Sequence, residues 1–189
     1  MRAPDSHFAF SSDTSADFEP EDGSIETLDC ASTEVEDNLA QHLERLWRFA
    51  LMRCADQEMA DDLVQATCVR ALEKAEQFKP GTRLESWLFS ILESIWRNTV
   101  RAQGVRCGNG IIDIADAGIE SVDASEDTRV ELADTIRLIG TLSEGQRAVL
   151  LLVCAEGFTY AETAAILDVP IGTVMSRLAS ARSSLQRFG

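Results

Sequence analysis

The sequence predicts an all-α protein made of two small helical domains joined by a flexible acidic linker. Two blocks of the chain place apolar residues three and four positions apart, which is the spacing of an amphipathic helix. Aromatic residues make up only 6% of the 189 residues, and Ala and Leu are plentiful, so helix is favoured over strand. Between the blocks, residues 104–127 combine four glycines with acidic side chains, a composition typical of a linker.

The first block, residues 36–103, predicts three helices. Each has one apolar stripe, and the stripes are Leu39, Leu43, Leu46, Trp47, Ala50 and Leu51; then Ala60, Leu63, Val64, Thr67, Cys68, Ala71 and Leu72; then Trp87, Leu88, Ile91, Leu92, Ile95 and Trp96. Lys79-Pro80-Gly81 separates the second helix from the third. Thr82 followed by Glu85 is the pattern of a capping box, which predicts that the third helix begins there.

The second block, residues 128–189, predicts four shorter helices. Ser143 with Gln146, and Thr159 with Glu162, both match the capping-box pattern and predict two helix starts. Gly157 predicts the end of the helix between them, because glycine readily adopts the left-handed conformation that ends helices.

The segment 159–182 has the layout of a helix-turn-helix. Asp168 occupies the tight turn, and the spacing of Val174 and Leu178 directs both toward the core. Outward positions of the last helix are polar, namely Thr173, Ser176, Arg177, Ser180 and Arg182. Arginine suits guanine edges, while serine and threonine suit phosphate oxygens, so the pattern predicts DNA binding. The alternative is a helical hairpin of an ordinary bundle whose polar residues are only solvated.

The net charge of −15 comes from two segments that lie mostly outside the helical blocks. Residues 1–38 carry −10 and residues 104–131 carry −5, whereas both remaining parts are neutral. We therefore interpret residues 1–35 as a disordered acidic tail. Phe8, Phe10 and Phe18 in this tail suggest folding on a partner or masking of basic DNA-binding surfaces; a solvated tail is the open alternative.

The cysteines and histidines predict no metal site and no cofactor. The five cysteines are an odd number at wide spacing, and neither histidine lies near a cysteine pair. The chain also shows no basic and apolar leader and no long apolar run, so we expect a cytoplasmic protein without membrane insertion. No nucleophile–base pair is evident, so we expect a protein that is not an enzyme.

Both blocks resemble bacterial sigma factors. Residues 142–182, which end in VPIGTVMSRLASAR, resemble the domain that reads the −35 promoter element. Residues 60–92, which begin with ADDLVQATCVRALEK, resemble the domain that binds core RNA polymerase and melts the −10 element. In its size, and in having no domain between the two blocks, the chain resembles the extracytoplasmic-function (ECF) sigma factors. The resemblance covers roughly residues 36–188.

The resemblance implies a role for each matching residue. Asp61, Asp62, Gln65 and Arg70 match the helix that docks on the polymerase β′ clamp helices, with Leu63 and Val64 interpreted as core. The residues matching the −10 surface are Lys79, Arg83, Ser94, Arg97, Asn98 and Arg101. Thr173, Ser176, Arg177, Ser180 and Arg182 match the −35 surface. We expect Trp87 in the core and leave Trp96 open. The implied partners are core polymerase, through the β′ clamp helices and the β flap, promoter DNA and an anti-sigma factor.

Some basic residues common in that family are missing. The third helix ends in Arg97-Asn98-Thr99-Val100-Arg101 rather than in a dense arginine run, and Ser180 stands where many relatives have a basic residue. Each missing phosphate contact weakens binding to DNA, so we expect low DNA affinity for the free protein. Two alternatives to a sigma factor follow: a mimic that sequesters an anti-sigma factor without binding promoters, and a conventional helix-turn-helix regulator.

Overall fold

The structure, a computed structural model, describes residues 23–103 and 136–187, with the backbone alone for residues 23–30 and 103. We call residues 23–103 the first unit and residues 136–187 the second unit. Every regular element in these two ranges is helical, which confirms the predicted fold class. The predicted linker, and the part of the acidic tail that holds its three phenylalanines, lie outside the described residues.

The first unit contains four helices. They are α1 (Gly23–Asn38), α2 (Leu43–Cys54), α3 (Gln57–Glu73) and α4 (Leu84–Gln103), with 3-10 turns at Leu39–His42 and Ala75–Gln77. The last three match the predicted helices, and α1 differs from the predicted disordered tail over residues 23–35. Ala31 and Val35, four positions apart, are buried, and α1 packs against α3 and the Ala75–Gln77 turn. Two apolar residues on one helical face therefore order this end of an acidic segment.

Helix α4 does not begin with the predicted capping box. The helix starts at Leu84, and the Thr82 hydroxyl donates to the Lys79 carbonyl at 2.7 Å. The carboxylate of Glu85 binds Arg83 instead of the backbone of Thr82. An arginine between the two box residues offers this carboxylate a charged partner, which is stronger than a backbone amide.

The second unit contains a helical turn at 136–140, α5 (Glu144–Leu150), α6 (Tyr160–Leu167) and α7 (Ile171–Leu185). A π-helical stretch at Leu151–Ala155 continues α5. Both predicted capping boxes of this unit are present: the Ser143 amide donates to Gln146 at 3.1 Å, and the Thr159 amide donates to Glu162 at 2.8 Å. Gly157 has φ +75°, as its predicted role at the helix end requires.

Helices α6 and α7 form the predicted helix-turn-helix. They meet at 104°, and Asp168 in the turn adopts the left-handed conformation with φ 54°. Val174 and Leu178 are buried, as predicted. In the described ranges no single helix has the length and apolar composition to cross a bilayer, and only the bent pair α6 and α7 reaches that threshold together.

The two units share one continuous hydrophobic core. A chain of aromatic rings joins them: Phe49 of α2 meets Phe89 of α4 at 5.1 Å between centroids, and Phe89 meets Phe158 of the second unit at 5.2 Å. Both contacts are edge-to-face, the arrangement that aromatic quadrupoles favour. Residues 23–103 and 136–187 therefore pack against each other around a single core.

Candidate functional site

A groove runs along α3, and Ile95 of α4 also lines it. Its volume is about 580 Å³, and its walls include Asp62, Gln65 and Arg70, three of the four residues predicted to bind polymerase. Val69 lines this groove and exposes 50% of its surface, and Leu72 of the same helix, outside the lining, exposes 47%. The groove thus combines exposed apolar side chains with polar ones, which is typical of a protein-binding surface.

Asp61, the fourth predicted polymerase contact, does not line this groove. Its carboxylate accepts a hydrogen bond of 2.7 Å from the Trp47 indole, which ties α3 to α2. Leu63 is buried as predicted, whereas Val64 is half-buried. Trp96 is fully buried, while Trp87 is only partly buried and packs against Phe78 at 5.4 Å.

The residues predicted to hold the −10 element lie on α4 and on the loop before it. Ser94, Arg97, Asn98 and Arg101 are three or four positions apart and therefore share one face of α4. Asn98 and Arg101 are exposed, and so is Lys79 in the loop. The face carries the cations and polar groups that suit a DNA backbone.

Arg83 and Arg97, two of these residues, contact the second unit. Arg83 forms an ion pair of 2.7 Å with Glu162, and its guanidinium lies 5.3 Å from the Phe158 ring centroid. Arg97 donates to the Leu167 carbonyl at 3.3 Å and lies 3.9 Å from the Asp168 carboxylate.

The pKa of Glu85 is lowered, chiefly by the hydrogen bond from Arg83. The pKa of Glu162 is lowered mainly by the Thr159 amide of its capping box.

The predicted −35 residues lie on α7. Ser176, Ser180 and Arg182 are exposed, while Thr173 and Arg177 are half-buried. Arg177 and Arg182 are five positions apart, so about 140° separates them around the helix, and they flank the outward face from opposite sides. Arg177 lies against α5: a Cβ built on Gly145 would be 3.0 Å from its Cζ. Glycine at position 145 therefore gives this side chain its room.

Two further exposed residues of α7 were not predicted. Ile171 and Met175 expose 45% and 50% of their surface next to the polar outward face. Their positions fall outside the buried phase of Val174, Leu178 and Ala181, and this signal was available in the sequence. Apolar side chains at such positions can contact the methyl group of thymine in a major groove.

A second groove, which is apolar, lies in the second unit. Its volume is about 330 Å³, and it is lined by Leu138, Ile139, Leu150, Leu151, Cys154, Ala155 and Leu185. Cys154, one of these residues, is exposed. Its side chain lines the groove, and the residue belongs to the π-helical stretch.

A buried polar network joins the units and was also not predicted. Arg53 pairs with Glu93 at 2.7 Å and with Glu144 of the second unit at 3.3 Å, and the Trp96 indole donates to Glu144 at 2.9 Å. Glu93 follows Phe89 by four positions and precedes Trp96 by three, so helical spacing alone places this carboxylate on the apolar face of α4.

Comparisons with known proteins match both units. The family model of Sigma-70 region 2 matches residues 39–106, and that of Sigma-70 region 4 matches residues 132–185. The ECF RNA polymerase sigma factor EcfG of Rhodopseudomonas palustris is 33% identical over 149 residues, which are 79% of this chain and 81% of that protein. The ECF sigma factor SigC of Mycobacterium tuberculosis is 31% identical, over 74% of this chain and 75% of that protein.

Two solved structures have the same fold. The sigma factor RpoE of Bartonella quintana, in complex with the anti-sigma factor NepR, is 32% identical with a TM-score of 0.66, over 82% of this chain and 95% of that one. CnrH, in complex with the cytosolic domain of CnrY, is 24% identical with a TM-score of 0.61, over 88% of this chain and 97% of that one, and supports the fold alone. The family models, the curated relatives and the helical architecture agree, and the chain belongs to the ECF RNA polymerase sigma factors.

Proposed function

We propose that this sigma factor docks on the β′ clamp helices of core RNA polymerase through the α3 groove. The observation that carries the proposal is the convergence of Asp62, Gln65 and Arg70 on one groove beside exposed Val69 and Leu72. A partner helix laid in this groove would cover the apolar side chains and meet the polar ones at the rim. Asp61 contributes indirectly, because its bond to Trp47 holds α3 against α2.

The two units divide the promoter between them. In this proposal residues 36–103 form the domain for the −10 element, residues 128–189 form the domain for the −35 element, and residues 104–127 link them. The exposed cations of α4 and its preceding loop would bind the backbone of melted DNA. On α7, Arg177 and Arg182 would reach phosphates or guanine edges on either side of the outward face, and Thr173, Ser176 and Ser180 would contact the backbone.

The apolar groove of the second unit is a suitable site for the polymerase β flap. Its lining is made almost wholly of aliphatic side chains, which would otherwise be left in contact with water. An anti-sigma factor is a further proposed partner, since the sigma factor RpoE of Bartonella quintana was solved with one. The chain would act in the cytoplasm, where core polymerase is, and would catalyse no reaction itself.

The test is transcription in vitro with core polymerase and a library of random promoters. Selected transcripts should share a −35 and a −10 element upstream of their starts. The variant Asp62→Asn/Gln65→Ala/Arg70→Ala should bind core at least tenfold more weakly, because it alters three walls of the groove. Glu36→Gln/Asp37→Asn, on the exposed side of α1, is the control and should bind core as the unaltered chain does.

Two outcomes would contradict the proposal. If core binds the protein but no promoter is transcribed, the chain is a mimic that sequesters an anti-sigma factor. If core binding is unaffected by the three groove substitutions, the polymerase site lies elsewhere.

For the −35 contacts, Arg177→Ala and Arg182→Ala should each reduce the salt dependence of duplex binding by about 0.9 in log–log slope, the value for one phosphate contact.

A further inference from the structure

We propose that Ile171 and Met175 read the methyl groups of thymines in the −35 element, so that this sigma factor selects its promoters in part by apolar contact. The inference rests on the proposed −35 role of α7. It adds the base feature to which the first two turns of that helix respond, and it makes two apolar side chains specificity-determining residues.

The apolar pair is exposed at the end of α7 that meets base edges. Ile171 is the first residue of the helix and exposes 45% of its surface, and Met175, one turn later, exposes 50%. In a helix-turn-helix, the first turns of the second helix contact the bases. The buried face of α7 is made by Val174, Leu178 and Ala181 instead. Both apolar side chains are therefore available to a major groove rather than to the core.

The neighbours of the pair on α7 are small. Ala179, four positions after Met175, continues the same row along the helix and is exposed. Ser176, beside Met175, is also exposed, and its hydroxyl donates to the Thr173 carbonyl at 3.1 Å. The Ser176 hydroxyl has thus used its donor within the helix and offers DNA an acceptor. Small neighbours let the helix approach the bases closely, so that the larger side chain of Met175 reaches them first.

Polar groups that read bases are scarce in the same two turns. Residues 171–177 contain no lysine, asparagine or glutamine, and their one arginine, Arg177, is half-buried against α5 at Gly145. Guanine and adenine are recognised chiefly by two hydrogen bonds from such side chains, whereas thymine presents a methyl group in the major groove. The large exposed side chains of this segment are Ile171 and Met175, and the base edge that suits them is that of thymine.

The charge of α7 commits the pair to DNA rather than to another apolar surface. Residues 171–185 carry two arginines and no carboxylate, so the pair lies in a positive setting that attracts a phosphate backbone. Met175 and Arg182 are seven positions apart, which places them about 10 Å apart along nearly the same side of the helix. A duplex whose backbone is bound by Arg182 is therefore held against Met175 as well.

The test compares two duplex libraries that differ only in the thymine methyl group. Each contains thirty random base pairs upstream of a preformed bubble of fixed sequence, and the random segment carries either thymine or deoxyuridine. The full chain, assembled with core polymerase, selects from both libraries, and the selected duplexes are sequenced. We expect an element with at least one thymine, whose preference over the other bases falls about fourfold in the deoxyuridine library. Fourfold is the ratio expected for burying one methyl-sized group.

Two variants assign the effect to the apolar pair. Ile171→Ala/Met175→Ala should select the same sequences from both libraries, because neither side chain then covers the methyl group. Met175→Arg should move the preference at one position from thymine to guanine, whose edge suits arginine. Leu43→Ala, at an exposed apolar position of α2, is the matched control and should select as the unaltered chain does.

The proposal is overturned if the unaltered chain selects one element with equal preference from both libraries, since Ile171 and Met175 would then belong to a contact with protein. It is also overturned if the double alanine variant keeps the difference between the libraries. A failure of the −35 assignment gives another result: neither library yields a preferred element, and Arg182→Ala changes nothing in the selection.

Discussion

Arg53 and Glu93 form an ion pair that solvent does not reach. Arg53 Nε lies 2.7 Å from Glu93 Oε1, Nη2 lies 3.3 Å from Oε2, and the two residues expose 2% and 1% of their surface. The remaining donors of Arg53 bind the carboxylate and the carbonyl of Glu144. Burying two charges is costly, so such a pair is more a constraint on the fold than a source of stability.

Removing one partner of this pair should be strongly destabilising. Glu93→Gln leaves the Arg53 guanidinium buried without its main counter-charge, and we expect the free energy of unfolding to fall by about 3 kcal/mol. Urea denaturation followed by tryptophan fluorescence measures the change. Glu44→Gln breaks the exposed pair with Arg48 and should cost less than about 0.5 kcal/mol. Equal losses for the two variants would show that burial of the pair does not matter.

His42 should make stability depend on pH below neutrality. Burial lowers the pKa of His42 from its ordinary value, with Arg45 adding to the effect and Glu85 opposing it. The unfolded chain therefore binds a proton at His42 more readily than the folded one, so its contribution is complete above about pH 6.5 and is lost as the pH falls through the lowered pKa.

The measurement is urea denaturation at pH 7.5 and at pH 5.5. Stability of the unaltered chain should fall between these values, and His42→Gln should flatten the change, since an amide does not titrate in this range. The lowered pKa of Glu85 keeps that neighbour ionised throughout. An unchanged slope in the variant would assign the pH dependence to another group.

At the scale of single elements, the end of α2 is strained. Ala55 adopts the left-handed conformation with φ 58°, and its amide donates to the Leu51 carbonyl at 2.8 Å. Glycine is the usual residue at such a position, because a Cβ there costs about 1 kcal/mol. Ala55 itself does not mark this helix end; the sequence signal is the next residue, Asp56, whose side chain accepts from the Met59 amide and caps the start of α3.

Ala55→Gly should therefore stabilise the protein by up to about 1 kcal/mol, less the entropy that glycine gains in the unfolded chain. Thermal denaturation is a suitable measurement. Ala66→Gly, at an exposed position inside α3, is the matched control and should cost about 1 kcal/mol. Destabilisation by both variants would mean that the left-handed conformation at residue 55 carries no strain.

Local signals decided which elements could be predicted. Three short-range signals in the second unit were interpreted correctly. They are the capping box of Thr159 with Glu162, the glycine at the helix end, Gly157, and the turn residue Asp168. Helix α1 could not be predicted, because Ala31 and Val35 become a buried helical face only when α3 and the Ala75–Gln77 turn are beside them. The capping box predicted at Thr82 is not formed, because the carboxylate of Glu85 binds the neighbouring Arg83 instead.

At the scale of the whole molecule, one core spans both units, and this has a consequence for cooperativity. All three tryptophans lie in the first unit, at positions 47, 87 and 96, whereas helical circular dichroism reports on both units. Because Phe49, Phe89 and Phe158 form one run of rings, the two signals should follow a single urea transition.

Phe158→Ala should separate the two transitions. It removes the ring that joins the units, at a cost of about 3–5 kcal/mol for a buried phenylalanine. The second unit, which is the smaller, should then unfold at lower urea, so that circular dichroism falls before tryptophan fluorescence changes. Coincident curves in this variant would show that the units are coupled by other contacts.

The arrangement of the predicted residues on each helix could be inferred from the sequence, whereas the contacts between the two units could not. Asp62, Gln65 and Arg70 do line one groove, and Ser94, Arg97, Asn98 and Arg101 do share one face of α4, because helical spacing determines both sets. The contacts of Arg83 and Arg97 with the second unit join residues 70 to 79 positions apart. Periodicity carries no information over such separations, and only the folded molecule brings them together.

The ion pairs between the two units differ in solvent exposure, from one end of the interface to the other. At the inner end the side chains of Arg53 and Glu144 are 2% and 40% exposed, and at the outer end those of Arg97 and Asp168 are 35% and 87% exposed. Salt and thermal motion weaken the wet end first, since water screens it and offers competing hydrogen bonds. The second unit should therefore rotate away from the first about the inner end of the interface. The turn of the helix-turn-helix lifts away from Arg97, while the first residues of α5 stay against Arg53 as the pivot.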